Sequence, residues 1–297
     1  MENKQLNQQL LLPDGRQLGY STIGNGTPVM YFHGTASSRL EIHLLDELAS
    51  KGKLQIIGVD RPGYGLSTSL NRRNLQTLAD DVNYLANSLG VKRFGLLGWS
   101  GGGVFALAFL SFFPKAVTNA VIVSAPSLPF DVSTAHNLPF ARFIMKIPLA
   151  GFLAMKTMSS QVLKANCDVE TFLHSRSGKQ MLHGCSQTDL DFFTNPTWMQ
   201  LMYQSMAEAF RQGNTGVKAV LNEHQMFTKP WSFRLSPGCA DKLTIWHGAE
   251  DKTCRVENAY QLSGFSGSTN VRVFLGKGHC VMFGAAEELA ALLKNHD

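Results

Sequence analysis

Phe94-Gly95-Leu96-Leu97-Gly98-Trp99-Ser100-Gly101-Gly102-Gly103-Val104-Phe105 is the stretch on which the reading of this chain turns. Phe94–Gly98 is a short apolar run of strand length, and Gly101–Phe113 continues as a helix closed by Pro114. Between them, Gly98-Trp99-Ser100-Gly101-Gly102 is the chain's single Gly-x-Ser-x-Gly match. A strand that turns this sharply into a helix holds its corner residue in a strained backbone and pushes the side chain out of the sheet. Flanking side chains would collide there, which explains the glycines. The helix aims free N–H groups and its positive dipole end at the corner. Ser100 is therefore read as a nucleophile. The competing reading is a passive serine in a glycine-rich turn.

The flanking sequence supports a sheet around that corner. Gln9–Leu12 and Gln17–Thr22 read as strands joined through the turn signal Pro13-Asp14-Gly15. Val29–His33, Leu54–Val59 and Val117–Val123 read as buried strands. Ser37–Ser50 carries helical spacing at Leu40, Leu44, Leu45 and Leu48. Leu75–Leu89 is an amphipathic helix with Leu78, Val82 and Leu85 inward, ended by Gly90. Such alternation marks an α/β fold with a parallel sheet and helices on both faces. It breaks at Ser124-Ala125-Pro126. It resumes with the strand Leu243–Trp246, a helix near Val256–Leu262, the strand Val271–Phe274 and a helix around Ala285–Lys294. Residues 1–126 and 238–297 thus form one α/β domain. Residues 127–237 read as a helical insertion, with apolar runs at Phe140–Met158 and Trp198–Phe210.

A serine hydroxyl needs a base to take its proton. His279, in Gly276-Lys277-Gly278-His279-Cys280, follows the last strand, at the same carboxyl edge of the sheet as Ser100. An imidazole in turn needs a carboxylate to fix its tautomer and stabilise its cation. Asp251 follows the strand Leu243–Trp246 on that edge; Glu250 is its neighbour and rival, and Asp241 lies on the wrong side of the strand. The competing readings are a surface histidine and a helix-capping aspartate. Acyl transfer also needs two N–H donors where the oxyanion forms. Gly101 supplies one. The loop His33-Gly34-Thr35-Ala36 supplies the other, assigned to Thr35, with His33 read as structural.

Four segments together resemble the α/β-hydrolase superfamily, in its capped serine esterase and proline iminopeptidase-like branch. They are His33-Gly34-Thr35, Asp60-Arg61-Pro62-Gly63-Tyr64-Gly65-Leu66-Ser67, Gly98-Trp99-Ser100-Gly101-Gly102, and Gly248-Ala249-Glu250-Asp251 with Gly278-His279. The chain order Ser, Asp, His is the one this architecture uses. The resemblance implies an eight-stranded, mostly parallel sheet, an inserted helical cap (lid), a structural loop at Asp60–Ser67, and no metal or organic cofactor. Ala36 departs from relatives that carry proline there. Serine at position 100 argues against dehalogenases and epoxide hydrolases of the branch, which carry aspartate.

Composition limits the partners. The net charge of +5 is spread over scattered Lys and Arg, with adjacent pairs such as Arg72–Arg73 and no basic run of five, so nothing marks a nucleic-acid surface. No apolar stretch approaches the roughly 18–20 residues of a membrane span. Five cysteines without metal-ligand spacing, and a polar start without an apolar signal core, read as free thiols in a cytoplasmic protein, monomer or homodimer. Eight of the eleven methionines fall in the insertion. Methionine adapts to irregular apolar shapes. Trp99, Phe143, Trp198 and Met202 are therefore candidate pocket walls for a small apolar ester, against the plainer reading that they pack a core. The leading expectation is a serine hydrolase cleaving carboxylic esters of small to medium apolar acyl or aryl groups. An aminopeptidase of proline iminopeptidase type would need acidic residues in the insertion to hold an α-amine. Glu208 and Glu223 are the candidates, although a solvated helix face is the simpler expectation for both. A carbon–carbon hydrolase and a ligand-binding receptor on a hydrolase fold complete the alternatives.

Overall fold

The computed structural model describes residues 4–70, 74–127, 147–183 and 185–294. Its eight strands are β1 (Gln5–Leu11), β2 (Gln17–Ile23), β3 (Thr27–Phe32), β4 (Leu54–Val59), β5 (Phe94–Trp99), β6 (Val117–Val123), β7 (Leu243–Gly248) and β8 (Val271–Phe274). They form one sheet in the order β1-β2-β4-β3-β5-β6-β7-β8. β2 runs antiparallel to both β1 and β4, and every other pair is parallel.

Helices cover both faces, because parallel strands need crossover connections and bury both sides. Along β3, Val29 and Tyr31 join the core under α1 (Asp46–Gly52) and α12 (Ala286–Leu293), while Met30 and Phe32 join the core under α2 (Leu75–Ser88), α3 (Gly102–Phe112) and α11 (Glu257–Ser266). Asn74 caps α2 by accepting from the Thr77 N–H, and Gly90 follows the helix in the left-handed region. Between β6 and β7 the described residues contain helices and no strand. These are α4 (Pro148–Cys167), α5 (Val169–His174), α6 (Arg176–Leu182), α7 (Gln187–Thr194), α8 (Pro196–Ala209), α9 (Asn214–Phe227) and α10 (Pro237–Ala240). Val162, Met199, Met202 and Tyr203 of these helices share one continuous core with the α1/α12 face of the sheet.

Two expectations change. The helix expected over Ser37–Ser50 is a 3-10 turn, Arg39–Leu45, followed by α1. Its buried side chains are Arg39, Glu41, Ile42 and Leu45, while Leu40 and Leu44 are only half-buried. Two charged residues face inward here, which an apolar-spacing argument cannot see. The apolar run Phe140–Met158 overlaps α4, which begins at Pro148; residues 140–146, Phe143 among them, lie outside the described residues, as do Arg72 and Arg73. No described helix is long and apolar enough to cross a membrane.

The register aligns the carboxyl ends of the parallel strands. Phe32 pairs with Gly98, Trp99 with Val123, Val123 with Trp246, and Gly248 with Phe274. The loops after β3, β5, β7 and β8 therefore leave one rim of the sheet together. Those loops carry Thr35, Ser100, Asp251 and His279.

Candidate active site

Ser100 stands at the corner between β5 and α3 with φ of +53°, a left-handed conformation that costs a serine strain. Its N–H still continues the sheet by donating to Val123 O at 2.9 Å, and its carbonyl accepts the first turn of α3 from the Gly103 N–H at 3.0 Å. The corner closes only without flanking side chains. A Cβ on Gly102 would lie 1.9 Å from Phe32 O, and one on Gly98 would lie 2.7 Å from Gly103 Cα.

His279 is buried, and its Nδ1–H donates to Asp251 Oδ2 at 2.8 Å. Asp251 is buried as well, and its other oxygen accepts from the N–H groups of Thr253 and Cys254, both at 2.8 Å. His247, buried in β7, donates through Nε2 to Cys254 O at 2.7 Å and lies 3.3 Å from Asp251 Oδ2. Burial alone would raise the Asp251 pKa. The charge of His279 and the hydrogen bonds from His247 and His279 outweigh it and hold the carboxyl well below the usual carboxylate range. For His279, burial disfavours the cation. The charge and hydrogen bond of Asp251, with the charges of Asp189 and Glu41, outweigh that and raise its pKa above the ordinary histidine value.

This bond assigns the proton to Nδ1 and leaves Nε2 as the basic nitrogen. Among the described residues, Ser100 Oγ and His279 Nε2 form no hydrogen bond, with each other or elsewhere. Such contacts are often long in unliganded enzymes and tighten when substrate binds. The residue next to Ser100 ties the two loops together: the Trp99 indole N–H donates to His279 O at 3.0 Å, and the two rings lie 5.4 Å apart.

The Thr35 loop meets the corner directly. Thr35 Oγ1 sits where a Cβ on Gly101 would be, 2.1 Å from that position. Ala36 has φ of +57°, a value proline cannot take, so this loop follows a path that a proline at position 36 would forbid. Glu41 Oε1 accepts from the Gly34 N–H at 2.8 Å and from the Tyr31 hydroxyl at 2.6 Å. Arg61 donates to His33 O at 2.7 Å and to Gly34 O at 2.9 Å. His33, whose Nδ1–H donates to Gly34 O, is kept neutral by burial and by the nearby Arg61 charge.

Arg61 and Glu41 were not singled out as site residues from sequence. Glu223, expected on a solvated face, is 2% exposed. On α9, it takes a two-pronged bond from Arg61, at 2.6 and 2.8 Å, and a bond from the Tyr64 hydroxyl at 3.0 Å. Glu208 on α8 pairs with the buried Arg39, which also holds Asp60. Both glutamates brace inserted helices against core loops, because a buried arginine needs a counter-charge. The buried arginines they meet, Arg61 and Arg39, stand 162 and 169 residues away in sequence.

Of the pocket candidates, Trp99 is buried with one edge against His279 and Phe283. Met202 is buried in the shared core. Trp198 packs on Phe192 at 5.3 Å and lines a depression of about 250 Å³ with Leu201, Met282 and Phe283. Among the described residues, no group of three or more His, Cys, Asp or Glu is arranged to hold a metal ion.

Comparison with known proteins agrees with this architecture. Residues 27–286 match the family model for the alpha/beta hydrolase fold. The chain is 25% identical over 290 residues to a proline iminopeptidase of Xylella fastidiosa, covering 91% of this chain and 89% of the relative. Its fold is similar to an esterase of Exiguobacterium antarcticum, with a TM-score of 0.63, 17% identity, and coverage of 97% of this chain and 98% of the other. It is also similar to a thermophilic esterase of Thermogutta terrifontis, with a TM-score of 0.64, 18% identity, and coverage of 98% and 96%. An eight-stranded sheet in this order, a strained serine corner and a match over most of the length together place the chain in the α/β-hydrolase family.

Proposed function

We propose that the chain is a serine hydrolase cleaving carboxylic esters of small to medium apolar acyl or aryl groups, with Ser100 as nucleophile, His279 as general base and Asp251 as the orienting acid. The observation that carries this reading is the 2.8 Å bond from His279 Nδ1 to Asp251, on the same rim of the sheet as a serine held at φ of +53°. In this mechanism Nε2 takes the Ser100 proton as Oγ attacks the ester carbonyl. The amides of Gly101 and Thr35 receive the oxyanion. The imidazolium, stabilised by Asp251, then protonates the leaving alcohol. Water, deprotonated by the same nitrogen, releases the acid from the acyl-enzyme. Residues 127–237 form a cap over the core of 1–126 and 238–297, with Trp99, Trp198 and Met202 as apolar wall candidates.

The Xylella relative raises an aminopeptidase reading. That activity needs a carboxylate free to hold a substrate ammonium. Glu223 is engaged by Arg61 and Tyr64, and Glu208 by Arg39 and Arg211, so neither offers uncompensated charge. This favours esters. p-Nitrophenyl esters of graded chain length, assayed beside prolyl anilides on the wild type and on Ser100→Ala, test it. Ester turnover that Ser100→Ala abolishes supports the proposal, and faster anilide cleavage would replace it with the peptidase reading.

A further inference from the structure

Three parts of His279 are held from the core or reserved for chemistry. Its ring is bonded to Asp251, its carbonyl to Trp99, and Nε2 is left for the substrate. The backbone N–H is held from elsewhere. It donates to Asp189 Oδ2 at 3.0 Å, and the Cys280 N–H donates to Asp189 Oδ1 at 2.7 Å. Asp189 belongs to α7, an inserted helix 90 residues away, and is 4% exposed. Its own backbone is fixed, since its N–H donates to Ser186 Oγ, the cap of α7. A buried carboxylate satisfied by two backbone donors is a strong, directional clamp.

Further contacts fit that clamp. A Cβ on Gly278 would lie 2.0 Å from Asp189 Oδ2 and 2.3 Å from Ser186 Oγ, so the residue before His279 has to be glycine for the carboxylate to reach the loop. Beside it, Thr188 Oγ1 donates to Gly276 O at 3.4 Å, and the Phe192 ring stacks on Phe283 at 4.7 Å.

We infer that Asp189 is a positioning residue for hydrolysis: from the inserted helices it fixes the backbone of the His279 loop, and its negative charge favours the imidazolium that forms during reaction. The inference rests on the proposed role of His279. It makes the inserted helices part of the catalytic frame, since the base is in place only while α7 is docked. The charges facing His279 are Asp251 from the loop after β7, Asp189 from α7 and Glu41 from the 3-10 turn. His247 reaches the site only through Asp251. The Cys280 thiol is kept neutral by burial and by Asp189.

The test compares wild type, Asp189→Asn, Thr188→Val and Ser100→Ala by kcat, KM and pH profile on a p-nitrophenyl ester, with folded fraction from circular dichroism. Asp189→Asn removes the charge and turns an amide N–H toward a backbone donor. The expected result is a kcat roughly 10- to 100-fold lower, as for a catalytic group displaced by about an ångström. KM should stay within about threefold, and the acid limb should move to lower pH because a charge favouring the imidazolium is gone. Thr188→Val should leave that limb in place. Wild-type kcat with an unmoved limb in Asp189→Asn would overturn the inference, as would a loss that only follows the folded fraction. Should Asp189→Asn fail to fold, Gly278→Ala displaces the same carboxylate, and unchanged kcat there would overturn it equally. Turnover surviving in Ser100→Ala would instead overturn the serine mechanism itself.

Discussion

The Trp99 indole donates its only N–H to the carbonyl of His279, 180 residues along the chain. The residue beside the candidate nucleophile thus anchors the loop of the candidate base. Trp99→Phe keeps most of the ring and removes the donor, leaving a buried carbonyl without its partner. A destabilisation of about 1–3 kcal/mol is expected for such a loss. kcat should fall about tenfold, with KM moving less, as the histidine loop loses register. Chemical denaturation and steady-state kinetics on the same preparation check both.

The pairing of Asp251 with His279 sets a pH dependence. A base at position 279, as proposed, must be neutral to accept the serine proton, and the His279 pKa is raised above the ordinary 6.5. Activity should therefore fall as pH drops through a value above 6.5 in a kcat/KM profile. Asp251→Asn should move that limb to lower pH and reduce kcat by on the order of 10⁴-fold, because the tautomer is no longer enforced. The stability signs differ between the partners. The contribution of the raised histidine is full below 6.5 and fades as pH rises through its folded pKa. That of the depressed aspartate is full above 3.8 and fades as pH falls through its folded pKa. The stability deficit of Asp251→Asn should thus be greatest between pH 3.8 and 6.5. A deficit independent of pH would contradict the ion pair.

Arg61 and Glu223, each 2% exposed, join the Thr35 loop to α9. Removing one partner strands the other charge in a dry site. Glu223→Gln or Arg61→Met alone should destabilise by about 3–5 kcal/mol, whereas Arg61→Met with Glu223→Leu should recover much of the loss. A double-variant penalty equal to the sum of the two single penalties, measured by urea unfolding, would show that the pair is not coupled.

The cysteines near the site should be inert. Cys254 and Cys280 are buried, and burial pushes both thiols well above their ordinary pKa, with Asp251 adding to Cys254 and Asp189 to Cys280. Cys167 is exposed. Brief treatment of the native protein with iodoacetamide should label Cys167 and spare Cys254 and Cys280, as read by peptide mass.

Much of this was legible in the sequence because it is local. β4, β6 and β8 end where their apolar runs end, at Val59, Val123 and Phe274. Ser100, between two glycines at a strand-to-helix corner, declares itself for the same reason. The first residues of β1 were missed, because an edge strand alternates exposed Gln5, Asn7 and Gln9 with half-buried neighbours and carries no apolar run. The inward charges were missed for a different reason. Arg39, Arg61, Glu223 and Asp189 are buried because of partners 21 to 169 residues away, and spacing along one element carries no trace of those partners. For Asp189 the only local sign is Ser186 three residues earlier, which marks a helix start and nothing of the histidine loop.

The proposed chemistry turns on the Ser100 hydroxyl being the group that attacks. Ser100→Ala, confirmed folded and assayed on p-nitrophenyl esters beside the wild type, tests this directly. Multiple turnover is expected in the wild type, with a kcat lower by on the order of 10⁶-fold in the variant. Turnover in Ser100→Ala within about tenfold of wild type would contradict it.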